Sequence, residues 1–359
     1  MKTKHTATLF AILAAALYAI NTPLSKLLLR HVGPTMMAAL LYLGAGVGLL
    51  ACSGIRKLFG RADSQEKLTK KELPYTAAMV VLDIAAPILL MLGIRQTNAA
   101  NVSLLNNFEI VATALIAFFL FREVISKRLR IAILLVTAGS ILLGFEGEGS
   151  IEFNTGSLFV LCACLCWGLE NNCTRMLSSK SSMEITTVKG CFSGLGSLIV
   201  ALILGEAFPS LILILAAMAL GFVAYGLSIN FYIKAQKELG AAKTSAYYSI
   251  APFLGVCFSL LLLGERPGPR FYAALIIMLA AAALMAKDTV SLQHTHAHIH
   301  THCHAHRHGD MVHTHEHDHV HTHTHIHGAE EAAHSHQHSD LGEHNHIHSP
   351  TVSHTELRQ

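Results

Sequence analysis

The chain has 359 residues and a formal net charge of +3, and 52% of its residues are hydrophobic while only 14% are charged. Soluble globular domains carry about 25% charged residues, so this composition excludes an ordinary soluble domain. We expect the chain to lie in a lipid bilayer, and we expect no nucleic-acid partner.

Ten apolar stretches follow one another along the chain, each near the roughly 17 to 25 residues that a helix needs to cross a bilayer. Their approximate bounds are 6–28, 35–55, 74–94, 100–121, 128–146, 155–177, 185–204, 210–232, 242–264 and 270–286. The first stretch follows Lys2 and Lys4 and also fits a signal peptide, but the repeat described below places it in the helical core. The sequence predicts an all-α membrane protein with ten transmembrane helices.

The distribution of lysine and arginine predicts the orientation of these helices. If the N-terminus is cytosolic, the basic residues of segment 56–71 are also cytosolic, and so are Lys127, Arg128 and Arg130. The connection with Glu146 then lies on the other side, and it has no basic residue. We therefore expect both termini in the cytosol, and the bacterial cytoplasmic (inner) membrane as the location.

The sequence also contains an internal repeat. A shift of 142 residues lays 93–123 over 235–265, and a shift of 149 lays Tyr18-Ala19 over Trp167-Gly168. Two halves of five helices, 1–147 and 148–288, have opposite orientations in the membrane because five is odd. Inverted repeats are typical of secondary transporters, which hold their solute near the midplane between the halves.

Several features of the repeat are distinctive: the helix-closing Glu123 and Glu265, the YYSIAP segment at 247–252 followed by LLLLGE, and Trp167-Gly168. With these features the chain resembles the EamA-type carriers of the drug/metabolite transporter superfamily. The resemblance covers about residues 6–287 and implies a secondary transporter of a small organic metabolite, with export common in the family. We expect Glu123 and Glu265 to cap neighbouring helices.

Ionisable groups within a membrane span are costly and usually face the interior of the bundle or a cavity. The deepest such groups are Asp83, Glu109 and Glu170, and the latter two have asparagine neighbours. They suit a zwitterionic or cationic solute and could also exchange protons; the alternative is that they only bond neighbouring helices. The predicted substrate-binding residues are Asp83, Asn107, Glu109, Glu170, Asn171, Tyr247 and Ser249.

No catalytic motif occurs where a soluble domain could hold it, so we do not expect the protein to be an enzyme.

Residues 289–359 form a polar tail with 23 of the 25 histidines, mostly as His-x-His. The tail has no apolar periodicity and is predicted to be disordered without metal. Neutral imidazole is a good ligand for Zn, Ni, Co and Cu ions, so we expect the tail to bind divalent transition metals. The predicted ligands are His294, His296, His298, His300, His302, His304, His306, His308, His313, His315, His317, His319, His321, His323, His325 and His327. The alternative is a low-complexity expansion without a role in the cell.

Three functions remain open at this point. In the first, the helical body of the chain, residues 1–288, transports an organic solute and the tail binds metal. In the second, the body itself transports a divalent metal such as Zn, Ni or Co. In the third, the protein is a metal-binding membrane sensor or store. Known kinds of metal carrier place histidine and aspartate together within their spans, whereas the histidines outside the tail are His5 and His31. The sequence therefore favours the organic solute. The carrier itself is expected to need no cofactor, and the solute, the coupling ion and the oligomeric state stay open.

Overall fold

The computed structural model describes residues 2–58, 66–122, 125–146, 152–308 and 311–326. Most of them belong to helices, whose peptide groups bond within the segment and so need no water. The helices are α1 Lys2–Ala19, α2 Asn21–Leu28, α3 Pro34–Leu58, α4 Leu73–Gln96, α5 Ala99–Leu105, α6 Phe108–Phe121, α7 Lys127–Gly144, α8 Thr155–Arg175, α9 Ser182–Val188, α10 Gly194–Ile203, α11 Leu211–Gly221, α12 Ser228–Leu239, α13 Ala241–Tyr248, α14 Ala251–Leu263 and α15 Pro269–Leu292. Glu123 and the proposed repeat boundary at 147–148 lie outside the described residues.

Eight helical segments in the described ranges are long and apolar enough to cross a membrane. They correspond to all the predicted spans except 128–146 and 155–177, which form the helices α7 and α8 but are not among the eight. A membrane-embedded helical protein is therefore supported, and the count of ten spans stays a prediction.

Three of the spanning segments are interrupted. The first breaks between α1 and α2 at Ile20, the fourth between α5 and α6, and another between α13 and α14. Two further segments contain π-helical turns, at Lys189–Ser193 and Phe222–Leu227. Such irregular backbone often marks functional sites in helices and transporters.

The core forms where helices of the first half pack on helices of the second. Helix α4 packs along α8, α1 along α12, and α3 against α10 and α11, while α7 packs against α15. A two-stranded ribbon of β1 Phe145–Glu146 and β2 Glu152–Phe153 adjoins α7 and α8. The packing brings polar side chains from the middle of both halves into one region.

The histidine tail follows the last helix, and part of it is described as two strands. Helix α15 continues to Leu292, and strands β3 Gln293–His308 and β4 Met311–Ile326 pair in antiparallel register. Alternation of histidine with Thr, Val and Ile has the two-residue period of a strand, and these partner residues favour extended backbone. Residues 327–359, with the predicted ligand His327, lie outside the described part of the chain.

The crossing of α3 and α11 depends on the absence of a side chain at Gly221. A Cβ built there would lie 1.9 Å from the carbonyl oxygen of Leu41. Because this atom belongs to the backbone of a packed helix, the two helices must separate to admit a methyl group.

We therefore predict that Gly221→Ala lowers the free energy of unfolding by about 3 kcal/mol. The measurement is the melting temperature of the purified protein in detergent. The matched control is Gly54→Ala, since Gly54 lies in α3 with nothing within 4 Å of its Cβ position. Alanine favours a helix over glycine, so this control should melt at or above the wild-type temperature. Equal destabilisation by both substitutions would contradict the proposed close crossing.

Candidate solute-binding cavity

A cavity of about 580 Å³ lies among α3, α8, α9 and the two π-helical turns. Its lining includes Tyr42, Asn171, Arg175, Lys189 and Tyr225. This volume lies within the range of small-molecule binding sites, and the mixture of aromatic, amide and charged groups suits a polar organic molecule. We refer to it as the central cavity.

A buried ion cluster reaches the wall of the central cavity through Lys189. The ammonium group of Lys189 lies 3.2 Å from Oδ2 of Asp83 and 2.9 Å from Oε1 of Glu170. Asp83 is fully buried and Glu170 is 1% exposed, whereas the side chain of Lys189 is 23% exposed. Of the three groups, the lysine is thus the one that an entering solute meets first.

Local structure holds each member of the cluster in place. Asp83 lies on α4 four residues before Pro87, and its Oδ1 accepts a hydrogen bond of 3.1 Å from the Tyr42 hydroxyl. Glu170 lies on α8 and accepts a hydrogen bond from Thr174 one turn later. Lys189 begins the π-helical turn between α9 and α10. The cluster therefore joins α4 of the first half to two segments of the second.

A second polar cluster lies around Glu109 on α6. Asn171 donates to Oε1 of Glu109 at 2.8 Å and to the hydroxyl of Thr113 at 3.2 Å. Asn172 donates to the carbonyl oxygens of Thr113 and Gly168. Since Asn171 also lines the central cavity, Glu109 is one hydrogen bond away from it.

Tyrosine rings form a further wall of the cavity. The rings of Tyr42 and Tyr225 lie 5.6 Å apart, and Tyr225 lies 5.9 Å from Tyr18. The Tyr225 hydroxyl accepts a hydrogen bond of 3.0 Å from Asn21 at the start of α2. This contact ties the cavity to the break in the first helix.

The structure brings together only some of the predicted substrate-binding residues. Asp83 and Glu170 meet at Lys189, and Glu109 meets Asn171. In contrast, Asn107 donates to the carbonyl of Leu104 within its own segment. Tyr247 is 40% exposed and Ser249 bonds to Ala246 of its own helix, and neither lines the central cavity.

Sequence reasoning missed Lys189, Tyr42 and Tyr225. A lysine near the start of an apolar stretch is typical of a membrane-interface anchor, so its position gave no sign of a buried partner. Lys189 lies four residues after Ile185 and four before Ser193, so the three share one helical face, which was the available sign that Lys189 faces the bundle. Only the packing of the helices identifies Asp83 as its partner.

The chain that forms this cavity contains two copies of one sequence pattern. The model of the EamA-like transporter family matches residues 5–145 and again 154–287. The chain belongs to the EamA-like transporter family. This confirms the resemblance that the sequence suggested, and each half carries one copy of the family pattern.

Curated relatives of this EamA-like chain are also transporters by name. It is 27% identical over 270 residues to an uncharacterized transporter of Methanothermobacter thermautotrophicus, covering 71% of this chain and 78% of that protein. It is 23% identical over 246 residues to the uncharacterized transporter YyaM of Bacillus subtilis, covering 66% of this chain and 79% of that protein. The relatives support a membrane transporter.

A solved crystal structure shares the fold. It superposes with a TM-score of 0.58 at 18% identity and covers 80% of this chain and 98% of its own. At this identity the likeness concerns the fold alone.

Glu265, one of the glutamates that carried the family resemblance, caps a helix of the opposite half. Its two carboxylate oxygens accept hydrogen bonds of 2.8 Å from the backbone N–H groups of Ala99 and Ala100 at the start of α5. The expectation of a capping role is thus confirmed for Glu265, while Glu123 lies outside the described residues. The first N–H groups of a helix have no partner within it, so this carboxylate satisfies two of them.

The same end of the bundle holds two similar contacts. Glu206, beyond α10, accepts hydrogen bonds from the backbone N–H groups of Thr35 and Met36 at the start of α3. Lys26 on α2 donates to the carbonyls of Ile94 and Thr97 at the end of α4, at 2.5 and 2.7 Å. We refer to the contacts of Lys26, Glu206 and Glu265 as the capped end.

The opposite end is joined by loop contacts. Lys180, between α8 and α9, lies 2.9 Å from the exposed carboxylate of Glu66, and this hydrogen bond raises the pKa of the lysine above its ordinary value. The backbone N–H of Leu68 donates to Glu184 at the start of α9. The central cavity extends towards this end, because Arg175, Ser178 and Ser182 beside the connection line it.

We predict that Glu265→Ala destabilises the protein by about 2 kcal/mol, because two helix-terminal N–H groups lose a charged acceptor. The melting temperature in detergent should fall by several degrees. Glu265→Gln keeps one acceptor oxygen and should fall between the wild type and the alanine variant. A melting temperature unchanged in Glu265→Ala would contradict the capping role.

Proposed function

We propose that this chain is a secondary transporter of a small organic solute that carries an amino group, as a zwitterion or a cation. The observation that carries the proposal is the ion cluster of Asp83, Glu170 and Lys189, in which Lys189 lines the central cavity and the two carboxylates lie behind it. Two carboxylates share one ammonium group there, in a site from which both carboxylates are closed to solvent.

The charge balance of the cluster favours a positive group on the solute. With both carboxylates ionised and one lysine, the cluster carries one uncompensated negative charge. A buried charge without a partner is costly, so a second cation or a proton stabilises the site. An amino group on the solute meets this need, and Asp83 and Glu170 supply its counter-charge from behind the cavity wall. Arg175, which also lines the cavity, suits a carboxylate at the other end of a zwitterion.

The position of the cluster between the halves supports alternating access. Asp83 belongs to the stretch covered by the first match to the family model, and Glu170 and Lys189 belong to the second. The breaks between α5 and α6 and between α13 and α14 fall within one residue of each other under the shift of 142 residues. We propose that the chain is built as two inverted five-helix repeats, with ten spans, which rock about the cluster.

The charge distribution supports a cytosolic mouth for the central cavity. The cavity extends towards the connection between α8 and α9, which lies on the same side as Arg56, Lys67, Lys70 and Lys71. The rule that basic residues stay inside then places this mouth and both termini in the cytosol. We propose that the solute enters from the cytosol and leaves through the capped end, which makes the protein an exporter of the inner membrane.

The test begins with a binding screen on the purified full-length protein. Amino acids, polyamines and aromatic amines are compared with carboxylic acids and sugars of similar size by their effect on the melting temperature. Amine-bearing compounds should stabilise the protein in a saturable way. The best compound is then followed as a radiolabelled substrate in proteoliposomes.

Substitutions in the cluster should abolish this transport. We predict that Glu170→Gln and Asp83→Asn each lower the initial rate at least 100-fold, because the ammonium group of the solute loses a counter-charge. The control is Glu66→Gln, which removes an exposed carboxylate at the edge of the bundle and should leave the rate within twofold. Full transport by both cluster variants would contradict the site.

We further propose that the tail binds divalent Zn, Ni, Co or Cu ions. The register of β3 and β4 supports this, because histidines lie opposite one another at every second position, from His294 opposite His325 to His306 opposite His313. Four imidazoles complete the coordination of Zn, so roughly one ion for every four histidines is expected. Metal transport by the body needs a ligand cluster in the membrane, and the described side chains include no group of three or more His, Cys, Asp or Glu that suits an ion.

We predict that the full-length protein binds several Zn ions at pH 7.5 and that truncation after Leu292, where α15 ends, removes them. Bound metal should fall as the pH drops through about 6.5, because protonated imidazole cannot coordinate. The measurement is elemental analysis after equilibrium dialysis. Zinc bound unchanged at pH 4 would contradict histidine ligation. Zinc flux in proteoliposomes of the truncated protein would favour the metal transporter instead, and metal binding without any solute flux would favour a sensor or store.

A further inference from the structure

A second, much smaller cavity lies where three interrupted segments approach one another. It has a volume of about 10 Å³, roughly the space of one water molecule. Its walls include Asn21 at the start of α2, Ser103 and Asn106 at the end of α5, and Gly255 on α14. The nearby breaks are at Ile20, Asn106 and Asn107, and Ser249 and Ile250, and we refer to this space as the junction cavity.

Two side-chain oxygens of the junction cavity have no hydrogen-bond partner among the residues that the structure describes. They are Oγ of Ser103, whose side chain is 2% exposed, and Oδ1 of Asn106. A buried polar atom without a partner costs about 1 to 3 kcal/mol, so such atoms usually have a role.

A backbone carbonyl adds a third oxygen. Pro23 follows Ala19 by four residues and has no N–H group, so the carbonyl of Ala19 lacks its usual helical donor. A Cβ built on Gly255 would lie 3.4 Å from this oxygen and 2.8 Å from Oγ of Ser103. Both oxygens therefore face the space left by the missing side chain of Gly255.

We propose that the junction cavity is a binding site for a single sodium ion. Neutral oxygens from a hydroxyl, an amide and a proline-freed carbonyl are the ligands that a small hard cation prefers. The volume matches one small ion, and the neutral donor set suits a single positive charge better than a divalent ion. Carbonyls of interrupted helices bind coupling cations in other transporter folds.

The junction cavity is connected to the central cavity. Asn21 lines the former and donates through Nδ2 to the Tyr225 hydroxyl, which lines the latter, while its Oδ1 accepts from Ser25. An ion at the break between α1 and α2 thus fixes a group that holds a wall of the solute site. This coupling rests on the proposed transport function, whereas sodium binding itself does not.

The test uses the purified full-length protein without any solute. Sodium chloride is titrated against choline chloride at constant ionic strength while the melting temperature is followed, and binding of radioactive sodium is measured by equilibrium dialysis. We expect saturable stabilisation and binding with sodium, a weaker effect with the larger potassium ion and none with choline. Ser103→Ala, which removes one ligand, should weaken sodium binding at least tenfold.

Two further variants separate ligation from general damage. Gly255→Ala places a methyl group in the junction cavity and should also weaken sodium binding at least tenfold, whereas Gly54→Ala, with open space at its Cβ, should bind sodium as the wild type does. Equal responses to sodium and choline, or unchanged sodium affinity in Ser103→Ala, would overturn the proposal and leave a water site. Because no solute is present, these outcomes do not depend on whether the chain transports an amine.

Discussion

The pairing of Lys189 with Asp83 and Glu170 is the constraint on which the rest of the arrangement depends. Within an apolar bundle a charge is tolerated only when an opposite charge and hydrogen bonds surround it. The three groups come from α4, α8 and the π-helical turn after α9, so their pairing fixes these segments relative to one another. It also places the one partly exposed charge of the cluster at the cavity wall.

The two ends of the bundle differ in how they are held. At the capped end, Glu206 and Glu265 of the second half accept hydrogen bonds from helix starts in the first half. At the other end, contacts such as that of Lys180 with Glu66 lie at the rim beside the central cavity. Under the proposed alternating access, opening of the capped end requires these contacts to break.

Much of the fold follows from the sequence, because membrane helices are fixed by length, hydropathy and the need to bond every peptide group. Asp83 and Glu170 were identified because a carboxylate within an apolar stretch is costly wherever it lies. Glu265 was identified as a cap because a glutamate closes the corresponding helix in both copies of the repeat. These inferences depend on the free-energy cost of placing a charged group in an apolar stretch or at a helix end, and a sequence shows that placement directly.

Other features depend on which faces meet, and a single sequence does not record that. Lys189 resembled an interface anchor, and its carboxylate partners became clear only when α4 packed beside α8. Tyr247 was chosen from a motif, whereas its neighbour Tyr248 packs against Tyr18 and Tyr232.

The central claim is that the chain carries an amine across the membrane by exposing the cluster of Asp83, Glu170 and Lys189 to each side in turn. Counterflow measures this most directly, since labelled solute then enters vesicles already loaded with the unlabelled compound and no ion gradient is needed. A transient accumulation of labelled amine above its equilibrium level, absent in Glu170→Gln, is the predicted result. Binding of the amine without any accumulation would contradict the account, because a sensor binds its ligand but does not exchange it across a bilayer.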